Sequence, residues 1–360
     1  MNGLLGILPG RSTGAVGLSV EENTVKYAEL QQASGGRFRI GMWGARNLTE
    51  SEEPIDQEAS SEVPLMPIQA GAGGPLQQPW TIGLLHKLKR YAVFASFADR
   101  DVLVKFLSLP ELNEQEVARM VELRHREYLP MPRADIVYDF SITRFAHSQS
   151  KASAEEAEVQ TADSGSEDEL RVMVSGIERG AYMVYRESIA DQGLILRSLE
   201  TNQTAFTRGC NFFLGRDHPG TYAALYLNDT YSMVNFVVSR GLYYSRLLEP
   251  GLQNLTQDDS GSRRLDRLLR ELYRSVDFFS VESRGVPIDT LYLVNGGLAA
   301  DPGISHRIQK FLSERLSVNV QSLHEVAEEN DRIALPAGTL AGTLILPIGL
   351  ALRSHGEIGV

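Results

Sequence analysis

The chain has 360 residues, a length that suits two lobes or several subdomains better than one core. Its 42% hydrophobic content excludes global disorder, and a net charge of −11 speaks against unaided binding to nucleic acid or to an anionic membrane. The single cysteine, Cys210, excludes an intramolecular disulfide and a cysteine-only metal site, and reads as a small buried hydrophobe in a reducing compartment.

The first residues, MNGLLGILPGRSTGAVGL, lack the basic stretch that opens a signal peptide. Strand-like sequence runs over Ala15–Ser19, pauses at Glu21–Asn23 and resumes through Val25–Gln31. Gly35–Gly36 then turns the chain into Arg37–Trp43. From Thr49 to Gln78 the composition of Glu, Ser, Pro and Gly without periodicity predicts a long loop. Trp80–Lys89 reads as a short amphipathic helix, and Tyr91–Phe97 and Asp101–Leu107 as strands. Asp99–Arg100–Asp101 between them reads as a capped turn rather than an acid–base group. Asn113 and Glu116 form a capping box for a helix carrying Val117, Met120, Val121 and Tyr128, stopped by Pro130 and Pro132.

Ile136–Ile142 follows as a strand. Ser148–Glu169, rich in Glu and Asp, predicts a solvated acidic loop. Leu170–Gly176 is a strand, Ile177–Gln192 a helix ended by Gly193, Leu194–Leu199 a strand and Asn202–Phe213 a helix. Tyr222–Leu227 and Tyr231–Val238 then make a hairpin around Asn228–Asp229, continued by Gly241–Leu247. Arg263–Phe279 is a long amphipathic helix with Leu265, Leu268, Leu269, Leu272 and Val276 on one stripe. Thr290–Val294 is a strand leading to Asn295–Gly297, Gly303–Leu316 a helix and Val318–Val320 a strand. The apolar stretch Ile333–Leu352 raises the membrane question, but its prolines and glycines favour a loop followed by a buried helix. Each half opens on antiparallel hairpins and closes on helices, which suggests duplicated α/β lobes around a cleft.

His86, His125 and His324 are isolated and read as ordinary surface or packed residues. No P-loop or HExxH pattern is present. Tyr243–Arg246 is equally a partner contact or an alternating buried strand.

The chain resembles PilM, the actin-like protein of type IV pilus assembly, and more distantly FtsA and the cytoplasmic part of GspL of type II secretion. The resemblance spans roughly Val16 to Leu352. It is carried best by VLVKFLSLPELNEQEVARMVELRHREYLPMPRADIVYDF, through Leu109–Pro110, Glu116, Tyr128–Pro130, Pro132 and Asp139–Phe140. VKYAELQ, SRGLYYSRLLEPG, the Gly296–Gly303 stretch and Gly349–Arg353 fall in the same order as in the family.

The resemblance implies an actin-like (ribonuclease H-like) α/β fold: duplicated lobes around a cleft, with an inserted 1C subdomain. It divides the chain into 1–90 (first part of 1A), 91–200 (1C, with an acidic loop at 145–169), 201–220 (return helix), 221–335 (lobe 2) and 336–360 (terminal helix). It further implies a cytoplasmic scaffold, peripheral at the inner membrane through its partners. The partner is the N-terminal cytoplasmic segment of a PilN-like membrane protein, with pilus motor ATPases and self-association as further contacts. Neither nucleic acid nor a transmembrane segment of its own is expected. The groove positions are Phe94, Leu103, Val117, Met120, Val121, Tyr128, Val172 and Val174.

The family's phosphate-gripping residues are altered. Ser19, Val20 and Glu21 stand where aspartate, a hydrophobic residue and glycine are expected, and Tyr226, Leu227 and Asn228 depart in the same way. Glu21 brings negative charge toward phosphate oxygens, and Ser19 is no substitute for a carboxylate near Mg²⁺. Ser232 keeps the family's hydroxyl. Asp229 is either a displaced metal ligand or a surface hairpin residue. Lys26 is either a polar strand residue or a contact to nucleotide or cleft. Asn295, Gly296 and Gly297 hold either a ligand or an empty strand-to-helix turn. The expectation is a degenerate site with no cofactor and no ATP hydrolysis. The alternatives are a PilM that still binds ATP and Mg²⁺, and a GspL-like secretion component.

Overall fold

The structure is a computed structural model that describes residues 15–21, 24–33, 36–47, 88, 91–145, 169–191, 193–255, 261–298, 302–329, 332–336 and 339–355. The loop expected at 49–78, nearly all of the helix expected at 80–89 and most of the acidic stretch at 148–169 lie outside the described residues.

Two sheets of like topology carry the molecule. In the first, β1 (Ala15–Val20), β2 (Thr24–Gln32) and β3 (Phe38–Asn47) form an antiparallel meander. The other side of β1 pairs in parallel with β4 (Ala92–Ser96), which pairs in parallel with β8 (Ile195–Glu200). In the second, β9 (Tyr222–Leu227), β10 (Ser232–Val238) and β11 (Gly241–Leu248) repeat the meander. There β9 pairs in parallel with β12 (Thr290–Asn295), and β12 with β13 (Asn319–Ser322). Strands β1, β9 and β10 are buried along their whole length, which explains their nearly unbroken apolar runs. The fold is therefore the α/β one of duplicated lobes.

Between β4 and β8 a third sheet is inserted. Its order is β5 (Val102–Pro110), β7 (Glu169–Glu178), β6 (Ile136–Phe145), all antiparallel. Helix α1 (Glu114–Tyr128) covers one face, and its Asn113–Glu116 capping box is formed in both directions at 3.0 and 2.8 Å. Ile177 and Glu178, expected in a helix, remain in β7, because Ile177 pairs with Val102 and Val137 on its two sides and Glu178 with Ile136. Helix α2 (Arg179–Asp191) starts after them.

Two helices fill the space between the lobes. These are α3 (Asn202–Leu214) and the apolar α8 (Ala341–Leu352), preceded by β14 (Ile333–Ala334) at the far edge of the first sheet. Their approach is set by glycine: a Cβ on Gly349 would lie 1.9 Å from the Ala205 carbonyl oxygen, and one on Gly17 1.8 Å from that of Pro347. The C-terminal apolar stretch is thus core, and among the described residues no helix is long and apolar enough to cross a membrane. The remaining helices are α4 (Leu252–Leu255), α5 (Gly261–Glu282), α6 (Pro302–Ser313) and α7 (Leu323–Glu329). Helix α5 buries Leu268, Leu272 and Phe279 against lobe 2.

Candidate functional site: the interlobe cleft

The turns after β1, β9 and β12 converge where the lobes meet. Hairpin register sets Lys26 opposite Ser19 at the end of β1, and Glu21 follows on the turn. From lobe 2, Tyr226 sits near the end of β9, and Gly296 directly follows β12. Glu21, Lys26 and Tyr226 are fully buried.

The Lys26 ammonium has three donors and three acceptors: Glu21 Oε1 at 2.6 Å, the Tyr226 hydroxyl at 2.9 Å and the Gly296 carbonyl at 2.6 Å. Tyr226 in turn donates to Glu21 Oε2 at 3.0 Å. The result is a closed ring of carboxylate, ammonium and phenol that crosses from one lobe to the other. Burial pushes the Glu21 carboxyl up from its ordinary value, against the opposing pull of Lys26 and the Tyr226 hydrogen bond. A buried charge pair is tolerable only when its remaining valences are met: Tyr226 satisfies Glu21 Oε2, while Oε1 is held by its ion-pair contact with Lys26 alone.

The aromatic ring of Tyr226 also occupies space. A Cβ on Gly296 would come within 2.1 Å of it, so glycine at this turn admits a tyrosine side chain. Gly297 admits Asp229 in the same way, with Asp229 Oδ1 2.4 Å from its virtual Cβ. Asp229 is buried and accepts from the Leu298 amide at 3.1 Å, which corrects its reading as a surface hairpin residue. Its other oxygen, Oδ1, is buried with no hydrogen-bond partner among the described residues.

The remaining expected positions are spent on local structure. Asn295 donates to Ser305 Oγ at 2.8 Å and accepts from Gly297 N at 3.2 Å. Ser232 donates to the Pro250 carbonyl, and Asn228 Oδ1 accepts from the Asp229 amide at 2.5 Å. Ser19 Oγ is buried with no hydrogen-bond partner among the described residues. Among those residues no group of three or more His, Cys, Asp or Glu is placed to hold a metal ion. This residue set fits ATP–Mg²⁺ poorly, since a carboxylate and a phenol ring stand at the turns where the resemblance leads us to expect phosphates.

Asp99, expected as a plain turn residue, belongs to this cleft. It is 4% exposed, accepts from Asn202 Nδ2 at 3.0 Å and from the Tyr231 hydroxyl, and so joins the turn after β4 to α3 and to lobe 2. Burial lifts its carboxyl to about 6, over the opposing effect of those two hydrogen bonds. Asn202 also donates to the Val20 and Phe97 carbonyls at 3.3 and 3.2 Å. The sequence signal was present only as an acidic residue just after an apolar strand.

The groove positions divide. Val117, Val121, Val172 and Val174 are fully buried together as the core under α1, so they cannot face a ligand directly. The correction has a simple cause: helical and strand periodicity marks the inward face, which is the face α1 and the sheet already share. Leu103 is 38% exposed, and Phe94, Met120 and Tyr128 are half-buried. His125 stacks on Tyr138, and His324 Nδ1 accepts from the Ala341 amide at 3.3 Å. Within Tyr243–Arg246, Tyr243 is buried and Arg246 pairs with Glu271 at 2.6 Å.

The opposite face of the inserted sheet is clamped to lobe 2 by Arg171, which sequence reading passed over. Arg171 is 2% exposed, donates to the Tyr243 carbonyl at 3.0 Å and to Ser108 Oγ, and lies 3.2 Å from Glu282. Its guanidinium sits 4.4 Å from the centre of the Tyr243 ring.

No protein-family profile and no curated protein matches this sequence. Among solved structures the chain resembles a PilM–PilN type IV pilus biogenesis complex, at 16% identity over 94% of this chain and 98% of that one, with a TM-score of 0.64. It also matches the cytoplasmic domain of EpsL, an inner-membrane component of the type II secretion system of Vibrio cholerae (9% identity, 85% and 97% covered, TM-score 0.41). A third match is the polyphosphate/ATP-glucomannokinase of Arthrobacter sp. strain KM (12% identity, 96% and 99% covered, TM-score 0.40). The first match establishes the actin-like fold, and the other two superpose too loosely to carry an argument.

Proposed function

We propose that this chain is a PilM-like scaffold that works without nucleotide. It holds the N-terminal cytoplasmic segment of a PilN-like membrane protein, and through it sits at the inner membrane, where pilus motor ATPases and further copies of the chain can assemble. The observation that carries this reading is the Glu21–Lys26–Tyr226 ring, closed onto Gly296 across the lobes. It fills the phosphate end of the cleft with the protein's own charges, and a ligand would have to break it. The likeness in fold to a PilM–PilN complex supports the choice of partner. Leu103, Met120 and Tyr128 are the proposed contact surface, anchoring an extended or helical segment by a few apolar side chains.

Calorimetric titration with ATP–Mg²⁺ and with a peptide copying the partner's N-terminal segment tests this. The expected result is stoichiometric peptide binding and no saturable ATP signal. Saturable ATP binding would overturn the nucleotide-free reading in favour of an ATP-regulated PilM. Silence toward the peptide would remove the proposed partner and leave the nucleotide question answered separately.

A further inference from the structure

After β8 and α3 the chain leaves the first lobe and enters the second sheet at β9, so residues 215–221 form a hinge between the lobes. Their sequence, Gly-Arg-Asp-His-Pro-Gly-Thr, brackets His218 with two glycines of positive φ, 82° at Gly215 and 80° at Gly220. Such residues let a connection between two packed bodies change direction.

The hinge is clasped by lobe 2. From the β10–β11 turn, Arg240 donates its amide to the Gly220 carbonyl at 2.7 Å. Its guanidinium donates to the Gly215 carbonyl at 2.7 Å and the Asn211 carbonyl at 2.8 Å, and Asn211 Nδ2 donates back to the Arg240 carbonyl at 2.7 Å. Ser239 and Arg240 sit at φ of 47° and 71°, a conformation that costs non-glycine residues energy and that this set of bonds maintains.

His218 completes the clasp from within the hinge. It is half-buried and precedes a proline, which has no N–H, so the next amide serves: Gly220 N donates to Nδ1 at 2.9 Å. That contact requires Nδ1 to be unprotonated. The neutral ring therefore carries its hydrogen on Nε2, 3.1 Å from the Tyr292 hydroxyl of β12. Tyr222 and Tyr292 pack edge-on against the imidazole, with centroids at 5.4 and 5.8 Å. The charged and titratable groups around it are Arg216 and Asp217 on its own segment, Arg240 from the β10–β11 turn, Tyr222 and Tyr292 from the sheet, and Cys210 of α3, which bears on both tyrosines. A proton on Nδ1 would face the Gly220 N–H donor to donor and place a second positive charge near Arg240.

We propose that His218 is a proton-operated latch on the interlobe hinge: neutral, it holds residues 215–221 in the Arg240 clasp, and protonated, it releases Gly220 and loosens the hinge. Burial and the Arg240 charge push the imidazole below its ordinary 6.5, in keeping with this geometry. A group depressed in this way adds stability above its unfolded value, and that stability is lost as pH falls through the folded one. Asp99 works in the opposite sense, since its protonation favours the fold. The inference stands independently of the pilus reading.

The test is NMR of the full chain between about pH 8 and pH 5, the range in which histidine changes charge, reading the His218 ring and the Gly220 amide. The ring should show the Nε2–H tautomer and a midpoint below 6.5. Exchange protection at Gly220, corrected for the intrinsic rate, should fall about tenfold or more across that midpoint, together with the Arg240 amide, while β1 stays unchanged. His218→Asn keeps an uncharged acceptor two residues before Gly220, so protection there should stay level over the same range. His218→Ala should lack it at both ends. A midpoint at or above 6.5, Gly220 protection indifferent to pH in the parent chain, or a His218→Asn variant that loosens with acid as the parent does would each overturn the proposal.

Discussion

Lys26 of the first lobe and Tyr226 of the second, 200 residues apart in the chain, share a hydrogen bond of 2.9 Å where neither side chain touches solvent. That contact converts a cleft into an interior. Its consequences are thermodynamic before they are functional, because every group in the ring depends on the others for its hydrogen bonds.

Removing the ammonium alone leaves the Glu21 carboxylate buried beside a phenol. Lys26→Met should cost about 3–5 kcal/mol, the usual loss when one member of a buried pair is deleted. Lys26→Met combined with Glu21→Gln should recover at least half of it. Urea unfolding of the two single variants and the double variant reads the coupling, and simple additivity would show that the pair is not a unit.

If the Tyr226 ring is what fills the turn at Gly296, shortening it should open the site. Tyr226→Ala is expected to lose stability, and the ring of three acceptors around Lys26 is reduced to two. The unmodified chain should show no rise in melting temperature with millimolar ATP–Mg²⁺. A rise comparable to that of a true nucleotide-binding protein would count against a cleft closed by its own side chains.

Asp99 gives a pH dependence with a definite sign. Its carboxyl is raised from 3.8 to about 6 by burial, so the neutral form is the one the fold favours. The stability it contributes is complete below about 4 and is lost as pH rises through about 6. The cost of the buried charge at pH 7.5 is on the order of 3 kcal/mol. Asp99→Asn should be more stable than the parent at pH 7.5, and the difference should shrink on titration to pH 4. Denaturant midpoints at four pH values suffice to check it.

Arg171 holds the inserted sheet on lobe 2 through a carbonyl, a hydroxyl and a half-exposed carboxylate. Arg171→Met keeps much of the packing and strands the Tyr243 carbonyl. A loss of about 1–3 kcal/mol follows. Hydrogen exchange should quicken in β7 and β11 and stay unchanged in β1, which separates local undocking from global destabilisation.

The glycines between the lobes make a sharper prediction. Gly349→Ala puts a methyl on the Ala205 carbonyl, backbone against backbone, and should cost about 3 kcal/mol or more. Gly180→Ala, in α2 with its nearest neighbour at 3.6 Å, should instead gain up to about 1 kcal/mol from helix propensity. Thermal melts of the two variants side by side would settle whether close approach, rather than glycine itself, matters.

The sequence alone determined the repeating pattern of the two lobes, the capping box at Asn113 and the buried character of the last helix. These are local facts, readable because periodicity, turn chemistry and caps act over a few residues. The pairing of Lys26 with Tyr226, the entry of Asp99 into the cleft and the clamp at Arg171 were decided by the tertiary structure. Each joins segments between 63 and 270 residues apart, such as Arg171 with Ser108 or Lys26 with Gly296. Burial then turned an unremarkable lysine, a turn aspartate and a strand arginine into obligatory partners, because only in a water-excluded space must every charge be matched.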